Sequence, residues 1–308
     1  MSVAVLTHES CLAHDPGPGH PESPARLRAV LDALHASGLP LHWLEAPSAD
    51  HKLVAHAHHP ALIRKLERLR GVSTRVAIDS DTQVSRASVD AAWHAAGAGL
   101  RALEGMLNGE FRRAFCAVRP PGHHATRAAA MGFCLLNSIA IAAYGALEAG
   151  LKRVAIIDFD VHHGNGTEDI FSADERVMYV STHQFPLYPG TGRNSDVGVG
   201  NIVNVEIPPG TQSAEYRAEV QSKMLPRLEA FAPQLLLISA GFDAHRLDPL
   251  AGLNLDDDDF RWITEQLVSI ANRHADGRVL SMLEGGYSLS ALRSSVVAHV
   301  AALADVLA

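Results

Sequence analysis

Residues 151 to 171 read LKRVAIIDFDVHHGNGTEDIF, an apolar run that ends in carboxylates and imidazoles at metal-ligand spacing. With Val154 to Ile157 as a buried strand, the period-two geometry of an extended chain puts Asp158, Asp160 and His162 on one side. Asp160 and His162 then offer one cation an oxygen and a nitrogen, a mixed pair that suits a divalent ion such as Zn²⁺ with positions open for water. Asp158, two residues back, can orient a neighbouring histidine or bind a second cation. A D-x-H pair also fits an ordinary solvated strand end, so partners elsewhere in the chain must decide.

Three other segments offer such partners. Residues 119 to 125 read RPPGHHA, where two prolines and a glycine stiffen a turn that presents His123 and His124. Adjacent imidazoles in different surroundings can divide the work, one neutral as a base and the other cationic beside a carboxylate. Asp158 is a candidate for that carboxylate, and Asn165 could orient the second ring through an uncharged hydrogen bond. Residues 235 to 245, LLLISAGFDAH, join an apolar strand to Gly241 and Asp243, a third ligand from a different strand end. His245 repeats the D-x-H spacing but reads more simply as a loop residue. In EGGY, residues 284 to 287, two glycines allow close backbone approach, and Tyr287 supplies a phenol able to donate to a developing oxyanion.

These segments sit directly after apolar runs. The strands expected are Val3 to Thr7, Ala114 to Val118, Val154 to Phe159, Val177 to Ser181, Leu235 to Ser239 and Val279 to Leu283. Helices are expected at 24 to 36, 60 to 70, 87 to 107, 135 to 149, 213 to 231, 257 to 275 and 289 to 306. That alternation predicts an α/β fold, a single-domain open parallel sheet with helices on both faces, spanning residues 1 to 308. In such a sheet the ligand crevice lies at the carboxyl ends of the strands, where RPPGHH, DVHHGNG, STHQF, AGFDAH and EGGY all fall.

The chain has 308 residues, is 47% hydrophobic and carries a formal charge of -8, enough for an ordinary soluble core and unfavourable for a nucleic-acid backbone. There is no membrane-length apolar run and no basic region ahead of an apolar one at the start, so a cytoplasmic protein is expected. Cys11, Cys116 and Cys134 are widely spaced and form no CxxC pattern, which argues for reduced thiols and against a cysteine metal site. Most of the 18 histidines, His14, His35, His51, His56, His58, His59 and His94 among them, read as surface or satisfied-core residues.

HPESPARL at residues 20 to 27, RPPGHHA, MGFCLLNSIAIAA, DFDVHHGNGT, SAGFDAH and LEGGYSL, in this order, resemble the histone deacetylase family. The likeness is to its class II and bacterial deacetylase-like amidohydrolase members, and it runs through nearly the whole chain. It implies the arginase-deacetylase fold and one catalytic Zn²⁺ held by Asp160, His162 and Asp243. It also implies that His123 and His124 lie beside the catalytic water and that Tyr287 is the transition-state tyrosine. Gly132 and Phe133 match one wall of a narrow acyl-lysine tunnel, with Tyr188 or Phe185 opposite and Leu250 at the gate. Asp81 matches a rim aspartate that grips substrate backbone, and Asp79 competes for that place. Asn165 stands where class I members carry an aspartate, which is the class II pattern. Family members also hold monovalent cations such as K⁺ near Asp158 and Ser181.

The reaction so implied is hydrolysis of N-acetyl or other acyl amides, releasing acetate from acetyl-lysine in a protein or peptide, or from a small acetylated amine. The polyamine-selective branch carries an acidic gatekeeper where this chain reads HRLDPLAG with Leu250, which favours acetyl-lysine, although Asp248 is close by. A ureohydrolase of the arginase type would need a second metal, and Gly241 stands where a further aspartate would be required. A non-catalytic acyl-lysine-binding scaffold is the alternative outside enzymes, and a homo-oligomer is left open.

Overall fold

In the computed structural model, which describes residues 2–305, ten strands are laid down in chain order: β1 (Val3–Thr7), β2 (Leu41–Glu45), β3 (Val76–Ala77), β4 (Gln83–Val84), β5 (Arg113–Cys116), β6 (Val154–Asp158), β7 (Val177–Gln184), β8 (Ile202–Ile207), β9 (Leu235–Ala240) and β10 (Val279–Leu283). Eight form one sheet in the order β2-β1-β5-β10-β9-β6-β7-β8, parallel throughout, while β3 and β4 make a separate antiparallel pair. The central strands β5, β10, β9 and β6 are buried along their whole length. Continuous apolar runs do this only when both faces of the sheet are covered. The helices Ser88–Leu107 and Ser138–Glu148 pack together on one side, and Pro24–Ala36, Leu289–Leu303 and Asp257–His274 pack together on the other.

This strand order has a direct consequence for chemistry. The four strands that precede RPPGHH, EGGY, GFDAH and DVHH are consecutive neighbours, so their loops leave the sheet side by side. Register tightens the placement, because Asp158 at the end of β6 lies opposite Ser239 of β9 and Ser181 of β7.

Several expectations need correction. The strand expected to run through Phe159 stops at Asp158, and the chain turns there, so Asp160 and His162 are aimed by a turn and not by strand alternation. The edge strands β2 and β8 were not anticipated, since each is only partly covered and lacks a solid apolar run. The short helices Glu9–Ala13, His51–Ala57 and Asn165–Phe171 were also unforeseen. The expected helix over 213 to 231 is helical throughout but carries a π-turn at Val220–Met224. Pro226, just beyond it, cannot donate to the fourth carbonyl back, and the widened turn absorbs that loss. The last helix ends at Leu303, and the final residue of the expected span, 306, lies outside the described residues. Among the described residues no helix is long and apolar enough to cross a membrane.

Candidate active site

One ligand atom each from Asp160, His162 and Asp243 lies within 4.8 Å of the others. His162 Nδ1 is 3.1 Å from Asp160 Oδ1 and 3.1 Å from Asp243 Oδ2. The carboxylates are held by backbone: Gly285 N–H donates to Asp160 Oδ2 at 2.8 Å, and Val161 N–H donates to Asp243 Oδ1 at 2.9 Å. A Cβ at Gly241 would stand 2.1 Å from Asp160 Oδ2, and one at Gly285 would stand 2.1 Å from Asp243 Oδ2. Both glycines are therefore set by the space the carboxylates occupy.

Burial pushes the Asp243 carboxyl up to about 7, with Asp160 adding to the rise. Burial acts the same way on Asp160, but His123 and His162 outweigh it and hold that carboxyl low. The His162 ring, opposed by burial, is nonetheless raised to about 10 by its hydrogen bonds to Asp160 and Asp243. Two buried carboxylates and one imidazole crowded around a common centre form a net-negative O, N, O donor set that fits one divalent cation.

Asp158 is not part of that set. Its Oδ2 is 3.0 Å from His123 Nδ1 and accepts the Tyr179 hydroxyl at 3.0 Å, so of the two roles open to it, orientation of a histidine is the one the geometry fills. The second imidazole pairs differently: His124 Nδ1 is 2.8 Å from Asn165 Oδ1, the first residue of the helix Asn165–Phe171. The two rings lie 4.0 Å apart between centroids, yet their surroundings favour opposite protonation states. Burial disfavours charge on His123, but Asp158, Asp160 and Glu284 overcome it and hold the ring well above the ordinary imidazole range. On His124 burial is reinforced by its neighbours His123 and His162, and the ring is held well below that range.

Above these groups lies a cavity of about 230 Å³. His124, His162 and Tyr287 line it together with Gly132, Phe133, Leu187, Tyr188, Leu250 and Asp81. Gly132 has φ +56, and a Cβ there would meet the His124 ring at 2.5 Å. Phe133 also takes a positive φ of 68, a conformation uncommon outside glycine, which turns it toward the cavity beside Tyr287. The opposite wall is Tyr188 with Leu187, which sequence reasoning missed; Phe185 instead lies under the Arg193 guanidinium at 3.9 Å and is not among the lining residues. Asp81 lines the cavity, while Asp79 Oδ1 accepts the N–H groups of Asp81 and Thr82 and so shapes the turn. A wider groove of about 940 Å³ near Asp15, Arg75 and Arg86 includes none of these side chains. His245 stays out of the candidate ligand group, 3.7 Å from Asp257.

Further supports were invisible in the sequence. Glu284 is buried, accepts the N–H groups of Gly122 and His123 at 2.7 and 3.2 Å, and is pushed up to about 7 chiefly by burial. Glu22 joins two buried guanidiniums, those of Arg26 and Arg119. Arg26 in turn donates to the Gly286 and Glu284 carbonyls at 2.6 and 2.5 Å and lies 4.9 Å from the Tyr287 ring centroid. The segments HPESPARL and RPPGHHA contain these residues, but nothing local to either announces a pairing 97 positions apart.

A family model described as the histone deacetylase domain matches residues 20–303. A probable deacetylase from Archaeoglobus fulgidus is 38% identical over 316 residues, covering 99% of this chain and 87% of that protein. A histone deacetylase-like amidohydrolase from Pseudomonas aeruginosa is 38% identical over 313 residues, covering 93% and 82%. Among solved structures, the crystal structure of the HDA15 HD domain matches with a TM-score of 0.93 and 34% identity over 99% of this chain and 88% of that one.

Proposed function

The chain belongs to the histone deacetylase family and is a deacetylase, and from that premise we propose that it uses one Zn²⁺ to hydrolyse the N-acetyl or N-acyl amide of an extended primary amine, with the acetyl-lysine side chain as its preferred substrate. The observation that carries this reading is the cavity of about 230 Å³ whose lining brings together His162, a metal-ligand candidate, the His124 imidazole and the Tyr287 phenol. Asp160, His162 and Asp243 would hold the ion, which when bound polarises an amide carbonyl and acidifies water.

The chain's own groups then divide the proton work. Asn165 Oδ1 occupies His124 Nδ1, which leaves Nε2 as the accepting atom of an uncharged ring. His124 takes the proton from water as the new C–O bond forms, and passes it to the amine nitrogen as the C–N bond breaks. His123, kept cationic against Asp158, tunes the field without exchanging that proton. Burial keeps the Tyr287 phenol protonated, so it can donate to the oxyanion of the tetrahedral state. Acetate and a free amine leave.

Lysine is favoured over a polyamine because Asp248, the carboxylate two residues before Leu250, is turned to backbone and is not among the groups that line the cavity. Asp248 accepts the backbone N–H groups of Leu250, Tyr287 and Ser288, and Leu250 presents an apolar side chain to the cavity. A two-metal ureohydrolase reading is disfavoured by Gly241, where any side chain would collide with Asp160. The three free, buried thiols support a cytoplasmic location, and Asp158 with its register partner Ser181 is where a structural K⁺ would be sought.

The test is zinc analysis combined with acetate release from an acetyl-lysine peptide and from an acetylpolyamine. Faster polyamine turnover would reverse the substrate order. Bound zinc without turnover of any acyl amine would replace catalysis with acyl-lysine binding.

A further inference from the structure

We propose that Asp248 is a positioning residue for Tyr287, a role that rests on the reading of Tyr287 as the oxyanion donor. Tyr287 follows Gly285 and Gly286, and Gly286 has φ +123, where only glycine is comfortable. A peptide plane next to such a residue rotates easily, and its rotation would carry the phenol with it. The plane between Gly286 and Tyr287 is gripped at both ends. Arg26 Nε donates to the Gly286 carbonyl at 2.6 Å, and Asp248 Oδ2 accepts the Tyr287 N–H at 2.7 Å.

Asp248 does more than close that one bond. The same oxygen accepts the Ser288 N–H at 3.2 Å, at the N-cap of Leu289–Leu303, where Ser288 makes no side-chain cap of its own. A carboxylate there satisfies free N–H groups and matches the positive end of the helix dipole. Its other oxygen accepts the Leu250 N–H at 3.0 Å. One carboxylate, only 8% exposed, therefore fixes the backbone of two residues that line the cavity, Leu250 and Tyr287.

A phenol held in place by a peptide clamp contributes only while the clamp is closed. Misplacing a catalytic group by about 1 Å can cost on the order of 100-fold in rate. Asp248→Ala should therefore lower kcat about 10- to 100-fold, with KM for the acetyl-lysine peptide changed much less. Asp248→Asn, which keeps an acceptor for the Tyr287 N–H, should recover a large part of the loss.

The deciding experiment is a double-mutant cycle on the zinc-loaded enzyme. Tyr287→Phe alone should cost roughly 100- to 1,000-fold. Adding Asp248→Ala to Tyr287→Phe should then cost almost nothing more. Should Asp248→Ala not fold, Asp248→Leu, which likewise offers the Tyr287 N–H no acceptor, carries the same cycle. Full additivity of the two losses, or an unaltered kcat in the folded variant without an acceptor, overturns the positioning role while leaving Tyr287 in place. An unaffected Tyr287→Phe enzyme overturns both readings together.

Discussion

The Nδ1 atom of His124 sits 2.8 Å from the amide oxygen of Asn165, whereas its neighbour His123 faces a carboxylate, that of Asp158, at 3.0 Å. An uncharged partner leaves burial and the adjacent His123 free to keep His124 neutral, and a charged one stabilises His123 as a cation. Replacing Asn165 with Asp should erase that difference. A new carboxylate favours the protonated form of His124, and a protonated ring cannot accept a proton from water. The acidic limb of the kcat profile should therefore move to higher pH, by about one unit or more, with a smaller change on the alkaline side. Steady-state rates measured across the acidic range check this, and an unmoved limb would assign the base elsewhere.

Removing the two groups proposed to handle proton and oxyanion should separate chemistry from metal retention. His124→Ala and Tyr287→Phe leave Asp160, His162 and Asp243 untouched, so zinc content should stay near that of the parent protein. Turnover should fall by about 100-fold or more in each, the usual cost of losing a general base or an oxyanion donor. Parallel metal analysis and acetyl-lysine peptide hydrolysis provide the comparison. Undiminished hydrolysis in both variants would remove the assigned roles.

How far the sequence discloses this site depends on how local each signal is. The strands β6, β9 and β10 announce themselves as solid apolar runs, and β1 and β10 fall on the expected residues at both ends. The edge strands β2 and β8 alternate or are half covered, and their pairing is decided by neighbours distant in sequence. Asp160, His162 and Asp243 are legible because strand ends in a parallel sheet converge on one rim, whatever the intervening length. Glu284, Asp248 and the Glu22 junction of Arg26 and Arg119 are not, since each acts through a backbone amide or an ion pair formed only after folding. The choice of Tyr188 over Phe185 was equally closed to the sequence, because it turns on Phe185 lying under Arg193.

The glycines beside the proposed metal ligands make a steric prediction. At Gly241 an added methyl would fall 2.1 Å from Asp160 Oδ2 and 2.6 Å from the Asp160 Cα, so both the carboxylate and its backbone must shift. Gly241→Ala should therefore lose zinc affinity by about 10-fold or more, comparable to loss of a group that orients a ligand. Equilibrium dialysis against a zinc buffer gives the affinity, and circular dichroism verifies that the sheet survives. Parental affinity in a folded variant would show that the ligand loop relaxes around the methyl group.

Stability should carry a pH signature from a histidine remote from the rim. His299 is fully buried between the Thr264 and Ser281 hydroxyls at 2.7 and 2.8 Å, with the rings of Phe115, Phe159 and Phe242 packed against it. Burial lowers its pKa to about 3, so the folded protein holds it neutral while the unfolded chain protonates it near the ordinary value of about 6.5. Because the folded value is the lower one, this contribution is complete above about pH 6.5 and is lost as the pH falls toward about 3. Between about pH 7 and pH 4.5 the loss should be on the order of 2 to 3 kcal/mol. Urea unfolding of the parent and of His299→Gln at both pH values isolates the effect. The variant should start less stable, having lost a buried hydrogen-bonded ring, yet lose less on acidification. An equal acid loss in both proteins would place the proton uptake on other groups.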